Sequence, residues 1–275
     1  MMVSTICLLV IVLGLTAMFI QTQRAFKIGL KQNDIADNGR TVVELIARDL
    51  SQMISAQSTS NLNCVFVSRT ATNLIAVIQN DANGSPIRTN ELEDIFTINR
   101  VGAAWQSIGY AVSNALPNSS IGVGTLYRYA PPVLDGSPTN RPPPLSPEGS
   151  LALNAQYNGF LSPAWMTNRV ADGIIHLQIR AYDINGVELP FVTNGNFVSL
   201  SFPFVTNDFS TGVAVPKIST NLPASLELEL GILEPEALEH VRAIGVQAAQ
   251  VNYLAGRAGQ VQIYRQQIPI KTANR

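Results

Sequence analysis

The sequence predicts an α+β fold in which one long amino-terminal helix packs on an antiparallel β-sheet, with a late helix and a Pro-rich loop added to it. Three observations predict this. No proline occurs before Pro86, the apolar pattern of the first 57 residues is helical, and the pattern then switches to alternation. A chain of 275 residues holds one sizeable domain or two small ones. The expected division is a long helix over 1–57, transmembrane over 1–23, then a β-rich globular domain over 58–256 and a tail over 257–275.

The first helix comes in two parts. Met1–Gln23 carries no charge, and only Ser4, Thr5, Gly14 and Thr16 interrupt the apolar run MMVSTICLLVIVLGLTAMFI. About 20 apolar residues at ~1.5 Å each cross a hydrocarbon core of roughly 30 Å. A helix that is apolar all round reads as a membrane span, whereas a surface helix is amphipathic. A cleaved secretory signal would have a basic start, a shorter apolar stretch and a small-x-small site, and the segment has none of these. Gln21–Gln57 continues as an amphipathic helix. Ile28, Ile35, Val42, Ile46, Leu50 and Met53 recur at helical spacing, and charged residues fill the other face. Gly14, Gly29 and Gly39 each weaken a helix by roughly 1 kcal/mol relative to Ala, so bends are expected there. Arg24, Lys27 and Lys31 follow the apolar run and nothing basic precedes it. By the positive-inside rule alone, that end would face the cytoplasm.

Beyond Gln57, alternation predicts strands at Leu62–Ser68, Leu74–Gln79, Ile95–Asn99, Ala104–Val112 and Thr125–Ala130. Asp81-Ala82-Asn83-Gly84 marks a turn. Half of the sixteen prolines fall in Pro131–Pro163, which reads as an exposed loop. Ile174–Asp183 is a strand closed by the turn signal Asn185-Gly186, and Phe197–Phe204 and Ser225–Ile232 complete the sheet. Glu234-Pro235-Glu236 opens a helix expected to run from Pro235 to Leu254, with proline in its first turn and acidic residues at its positive end. Cys7 and Cys64 are too far apart on a straight helix to bridge.

The composition is sparing with chemistry. Only 13% of residues are charged and the net charge is −1, a polar, turn-rich profile suited to a domain outside the cytoplasm. No basic tract is interleaved with aromatics, so nucleic acid is not an expected partner. His176 and His240 lack paired ligand spacing and read as structural or solvated. No nucleophile elbow, P-loop or dinucleotide fingerprint occurs. Gly122-Val123-Gly124 reads as a strand-entry turn. Glu227 and Glu229 share one strand face and resemble an acid pair, but an exposed face of a half-buried strand explains them better. Asp81, Asn83, Asp183 and Asn185 supply oxygen ligands of the kind calcium takes, yet neither segment continues into an EF-hand and turn chemistry accounts for both. No catalytic residue, cofactor or metal is expected. Arg40, Arg48 and Asp49 on the upper helix are the candidate contacts to neighbouring subunits or to the head, against the reading of a solvated face.

Gln32–Met53, QNDIADNGRTVVELIARDLSQM, resembles the second half of the first helix in type IV pilin-like proteins. It is closest to W-type minor pilins and to J-type minor pseudopilins of type II secretion, and a family of prepilin-like proteins from verrucomicrobial gene cassettes is also similar. Ile121–Gly136, with its Leu-Tyr-Arg triplet, Val170–Leu189 and Leu222–Ile232 resemble later strands of the J-type family, in the same order. The resemblance implies a non-enzymatic subunit with an inner-membrane helix and a periplasmic head. Its partners would be other pilin or pseudopilin subunits, its place a secretion pseudopilus or pilus. Family members begin, after prepilin peptidase cleavage, with Phe-Thr-Leu-x-Glu, whereas this chain opens Met1-Met2-Val3-Ser4. The resemblance therefore implies a longer gene product with a basic leader, which would also reverse the charge conflict around Arg24. A signal-anchored periplasmic enzyme or sugar-binding module is the rival reading, and an anchored sensor or scaffold a third.

Overall fold

In a computed structural model the described backbone comprises residues 2–53, 64–68, 76–81, 83–101, 104–114, 120–132, 156, 159–160, 162, 166–190, 192–194, 197–202, 204–208, 215–219 and 222–270. Residues 2–11, 28, 31–32, 34, 64–68, 100–105, 114 and 192–219 are described by backbone alone, where at all. The chain divides into two compact units, Met1–Thr41 and Val42–Arg275.

One helix, α1, runs from Met2 to Ser51 and is uninterrupted at Gly14, Gly29 and Gly39. In the first unit the described large apolar side chains from Val12 to Leu30 are exposed, among them Leu13, Leu15, Met18, Phe19, Phe26 and Leu30, whereas Ile35 is buried. Thr16, Thr22 and Thr41 bond back to the carbonyls of Val12, Met18 and Asp37, which lets a hydroxyl sit on a helix without breaking it. Among the described residues no helix is long and apolar enough to cross a membrane. The side chains of 2–11 fall outside that description, so the span over 1–23 remains a reading of the sequence.

The second unit is mixed helix and antiparallel sheet, as expected of an α+β chain. Its strands are β1 Cys64–Ser68, β2 Val77–Asn80, β3 Pro86–Asn90, β4 Glu93–Val101, β5 Ala104–Asn114, β6 Gly124–Tyr129 and β7 Arg169–Tyr182. They continue with β8 Val192–Asn194, β9 Phe197–Phe202, β10 Phe204–Asp208, β11 Val215–Ser219, β12 Ser225–Leu233 and β13 Val261–Pro269. Nine of them form one sheet in the order β13-β12-β7-β6-β5-β4-β1-β9-β8, while β2-β3 and β10-β11 are separate hairpins.

The last turns of α1 sink into one face of this sheet. Val42, Val43, Ile46, Ala47, Leu50 and Met53 join a cluster with Leu177, Ile179, Leu226, Leu228 and Leu230. This is the half of the predicted apolar stripe that the sheet buries. Side chains on a strand alternate between faces, so His176, Gln178, Arg180, Glu227 and Glu229 take the opposite face. A second cluster lies there, where Val77, Ile121, Ile175 and Leu233 meet Leu238 and Leu254. Gly231 pairs with His176, and a bulge follows between Gly231 and Ile232. A Cβ on Gly231 would stand 2.7 Å from the His176 Cβ and 2.9 Å from Ile263 Cδ1, so glycine is what lets the imidazole lie against β12.

Several expectations need correction. α1 ends at Ser51, before the expected Gln57, because Met53 pairs with Asn99 as a bridge to β4; Ile54–Gln57 lie outside the described residues. The expected single helix Pro235–Leu254 is two, α2 Pro235–Ala243 and α3 Gln247–Ala255. Ile244 and Val246 flank Gly245 at the break, all weak helix formers, and Gln250 donates to the carbonyls of Val241 and Ile244. The segment expected as a tail holds β13, which pairs along all of β12 from Ser225↔Pro269 to Leu233↔Val261. Pro86 begins β3, a first position that a strand proline tolerates. Most of the Pro-rich loop lies outside the described residues, but Gln156 and Phe160 are buried, not exposed. Gln156 Oε1 accepts from the Ser107 hydroxyl at 2.5 Å, and Phe160 tilts against Phe96 at 5.5 Å.

Candidate functional site

Two polar assemblies stand on opposite faces of the sheet. The first closes the foot of α1. Asp49 is 4% exposed, and its Oδ2 accepts from the Tyr110 hydroxyl at 2.5 Å and from Arg128 Nε at 2.8 Å. The Asp49 carbonyl accepts from Asn99 Nδ2 at 2.6 Å, and Thr97 donates to Asn99 Oδ1. Asn99, Tyr110 and Arg128 come from β4, β5 and β6, so three neighbouring strands hold one helical turn. Burial, then the negative charge of Asp49, pushes the Tyr110 phenol well above its ordinary range. The phenol is therefore a committed donor. Of the three residues singled out in the sequence, Asp49 is thus a contact to the sheet. Arg40 and Arg48 are exposed, and Arg40 lies 3.9 Å from the equally exposed Asp37.

The second assembly is a cleft of about 560 Å³ on the far face. Arg88 reaches it from β3, His176 and Arg180 from β7, Glu229 from β12 and Arg265 from β13. Ala258 and Gly259 also line it. Glu229, expected on an exposed face, is 4% exposed. Its carboxylate binds Arg265 through Nε at 3.0 Å and Nη2 at 3.1 Å, the two-pronged geometry arginine favours. Arg88 instead directs Nε and Nη2 to the neutral Gln79 Oε1, and burial holds its pKa below the ordinary value, with Glu229 opposing.

His176 is buried, and its Nδ1 accepts the Glu91 backbone N–H at 3.0 Å. That fixes the proton of the neutral ring on Nε2. Nε2 stands 3.9 Å from Glu229 Oε1 and has no hydrogen-bond partner. Burial pushes the imidazole down to about 4, and Glu229 pulls the other way.

Beside the cleft, β6 parts from β7 at Ile174, leaving later β7 amides in need of acceptors. The Leu177 N–H finds the Glu91 carbonyl at 2.8 Å, and the Ile179 N–H finds Glu93 Oε2 at 2.7 Å. Burial pushes the Glu93 carboxyl up to about 8. That favours its neutral form at neutral pH.

The remaining sequence candidates resolve as local structure. Asp81 Oδ1 accepts the Asn83 and Ser85 amides, and Asp183 Oδ1 those of Asn185 and Val187, each at 2.8 Å. Gly84 and Gly186 adopt φ of 83° and 77° in those turns. Among the described residues no cluster of three or more His, Cys, Asp or Glu could hold a metal. His240 is exposed on α2 and stacks on Tyr253 at 5.0 Å. The cleft itself was missed in the sequence. Its signal was partial: His176, Gln178 and Arg180 alternate on one strand, as Glu227 and Glu229 do on the next, but Arg88 and Arg265 belong to strands the pattern did not reveal. This chain matches no family model, no curated protein and no solved structure.

Proposed function

We propose that this chain is a pilin-like structural subunit, of the minor pilin or pseudopilin kind, that acts in assembling a membrane-anchored export or pilus filament. The single observation that carries the proposal is α1. One helix of 50 residues exposes apolar side chains from Val12 to Leu30, and buries its last turns in a sheet. An apolar helix surface needs lipid or other helices to cover it, and neighbouring copies of the same helix meet that need in a filament core. The Asp49–Arg128 pair adds support, since it joins two segments that separately resemble the family, Ala47-Arg48-Asp49-Leu50 and Leu126-Tyr127-Arg128. On this reading the head lies outside the inner membrane and selects partners among other subunits, and the chain hydrolyses nothing.

The rival reading, an anchored periplasmic enzyme or binding module, takes some support from the far-face cleft. It expects the first helix to stop soon after the apolar run, whereas α1 continues to Ser51.

The test is cross-linking in cells. With Cys7 and Cys64 replaced by Ala, single cysteines at Leu13, Met18 or Phe19 are expected to give a ladder of disulfide-linked species in the membrane fraction. Cysteines at the head positions Asn83 and Val187 should give none. A monomer that fractionates away from membranes, with no ladder, would overturn the proposal. If codons upstream of Met1 are included, coexpression with prepilin peptidase is expected to shorten the product, as a mass comparison would read.

A further inference from the structure

The far-face cleft gathers donors without matching acceptors. Three guanidinium groups and one carboxylate line it, and no carboxylate among the described residues lies within ion-pair distance of Arg88. Two more carboxylates border it. Glu227 is 3.9 Å from Arg180 and accepts the Tyr182 hydroxyl at 2.7 Å, and Glu91 accepts from Gln178 Nε2 at 3.4 Å. Neither lines the cleft. A guanidinium has five N–H donors; Arg265 uses two on Glu229 and Arg88 two on Gln79, so each keeps others.

The buried imidazole is the independent observation. His176 lines this cleft, and its buried Nε2 carries a proton and has no partner; the Nε2 of Gln79, the residue that accepts from Arg88, has none either. Buried donors without acceptors cost roughly 1–3 kcal/mol each, and one that persists calls for a cause, of which an acceptor supplied by a bound molecule is one. All of these groups are donors that need an acceptor, and the guanidinium charges favour an anionic one. The volume exceeds what an inorganic ion fills and lies in the range of small-molecule sites, and Ile87 and Ala258 offer apolar wall.

We propose that this cleft binds the oxyanion of a small organic ligand, a carboxylate or a phosphate ester, through Arg88, Arg180 and the Nε2–H of His176. Arg265 is held back by Glu229 and sets the rim. The inference does not rest on the filament reading, because it concerns the head alone.

Benzoate and phenyl phosphate test it, since they share one apolar body and differ only in the anion. The full chain, solubilised in a neutral detergent and labelled with ¹⁵N-histidine, gives only two imidazoles to follow, His176 and His240; a His240→Gln variant assigns them. At least one probe is expected to move the His176 Nε2 resonance saturably, with a Kd of ~1 mM or tighter. Whichever probe binds more tightly identifies the anion class. Arg88→Gln with Arg180→Gln should weaken binding at least ~10-fold, while Arg169→Gln, outside the cleft, should not. No saturable shift of His176 with either probe up to ~20 mM, or equal affinity in the folded double variant, would overturn the proposal. If the double variant does not fold, the resonance shift in the unaltered protein decides.

Discussion

Strands β7 and β12 present two faces of opposite character. Toward α1 they bury Leu177, Ile179, Leu226, Leu228 and Leu230, and the polar assembly there is matched donor to acceptor, with Asp49 taking Tyr110 and Arg128 and passing its carbonyl to Asn99. Away from α1 the same strands carry His176, Arg180 and Glu229, where a half-buried arginine leans on a neutral amide and an imidazole N–H has no acceptor. Burial of polar groups is common to both faces. Satisfaction is what separates them: the satisfied assembly specifies structure, and the unsatisfied one is the cleft for which we propose a ligand.

The largest way to break this contrast is Asp49→Ala. It leaves the buried Tyr110 and the part-buried Arg128 without their acceptor; removing one partner of a fully buried pair costs about 3–5 kcal/mol, and the partial exposure of Arg128 puts the expected loss at about 2–4 kcal/mol. Denaturant unfolding of the full chain should show that loss. Adding Arg128→Leu should recover part of it, because the uncompensated cation goes too. A loss below ~1 kcal/mol would mean that the assembly contributes no more than an exposed ion pair.

Glu93 comes next. Its folded pKa of about 8 lies above the unfolded value near 4.5, so the folded state holds the extra proton. That contribution is full below pH 4.5 and is lost as pH rises towards 8. Glu93→Gln keeps an acceptor for the Ile179 N–H but cannot ionise. It should flatten the alkaline loss and be more stable than the parent at pH 9 by on the order of a few kcal/mol. An unchanged pH profile would sink the idea of a neutral carboxyl there.

His176 has the opposite sign. Its folded pKa of about 4 lies below the unfolded 6.5, so the unfolded state binds the proton more readily. Stability therefore rises from pH 4 to 6.5 and falls on acidification through that window. His176→Gln should remove this acid limb, an effect of about 2–3 kcal/mol at pH 4. The two windows overlap from pH 4.5 to 6.5, where the opposing slopes cancel, so together they give a plateau of stability that falls on the acid side through His176 and on the alkaline side through Glu93.

Much of this frame was legible. Ile46, Leu50 and Met53 at helical spacing pointed to the buried stripe, and alternation in Ser225–Ile232 gave the two faces of β12. What stayed hidden had physical causes. β13 reads Val-Gln-Ile-Tyr-Arg-Gln-Gln-Ile-Pro, an edge strand whose middle is half solvated, so its alternation is blurred. Glu229 looked exposed because a sequence cannot say that Arg265 will come from a strand paired beside it. Asp49 sits in a run of charged and apolar residues where helical spacing alone gives its direction ambiguously, and only strands β4 to β6 decide it.

The smallest expected effect sharpens the contrast at the helix itself. Arg48 is one residue from Asp49 yet exposed, as is Arg40, which pairs at 3.9 Å with Asp37, just as exposed. Solvent screens such groups, so Arg40→Gln or Arg48→Gln should change stability by less than ~0.5 kcal/mol. That quietness makes them clean probes of assembly. If they meet acidic partners on neighbouring subunits, Arg40→Glu with Arg48→Glu should abolish the cross-linked ladder while the melting curve stays in place. A ladder of unchanged intensity would assign both arginines to a solvated face, and leave the apolar stretch from Val12 to Leu30 as the surface through which subunits meet.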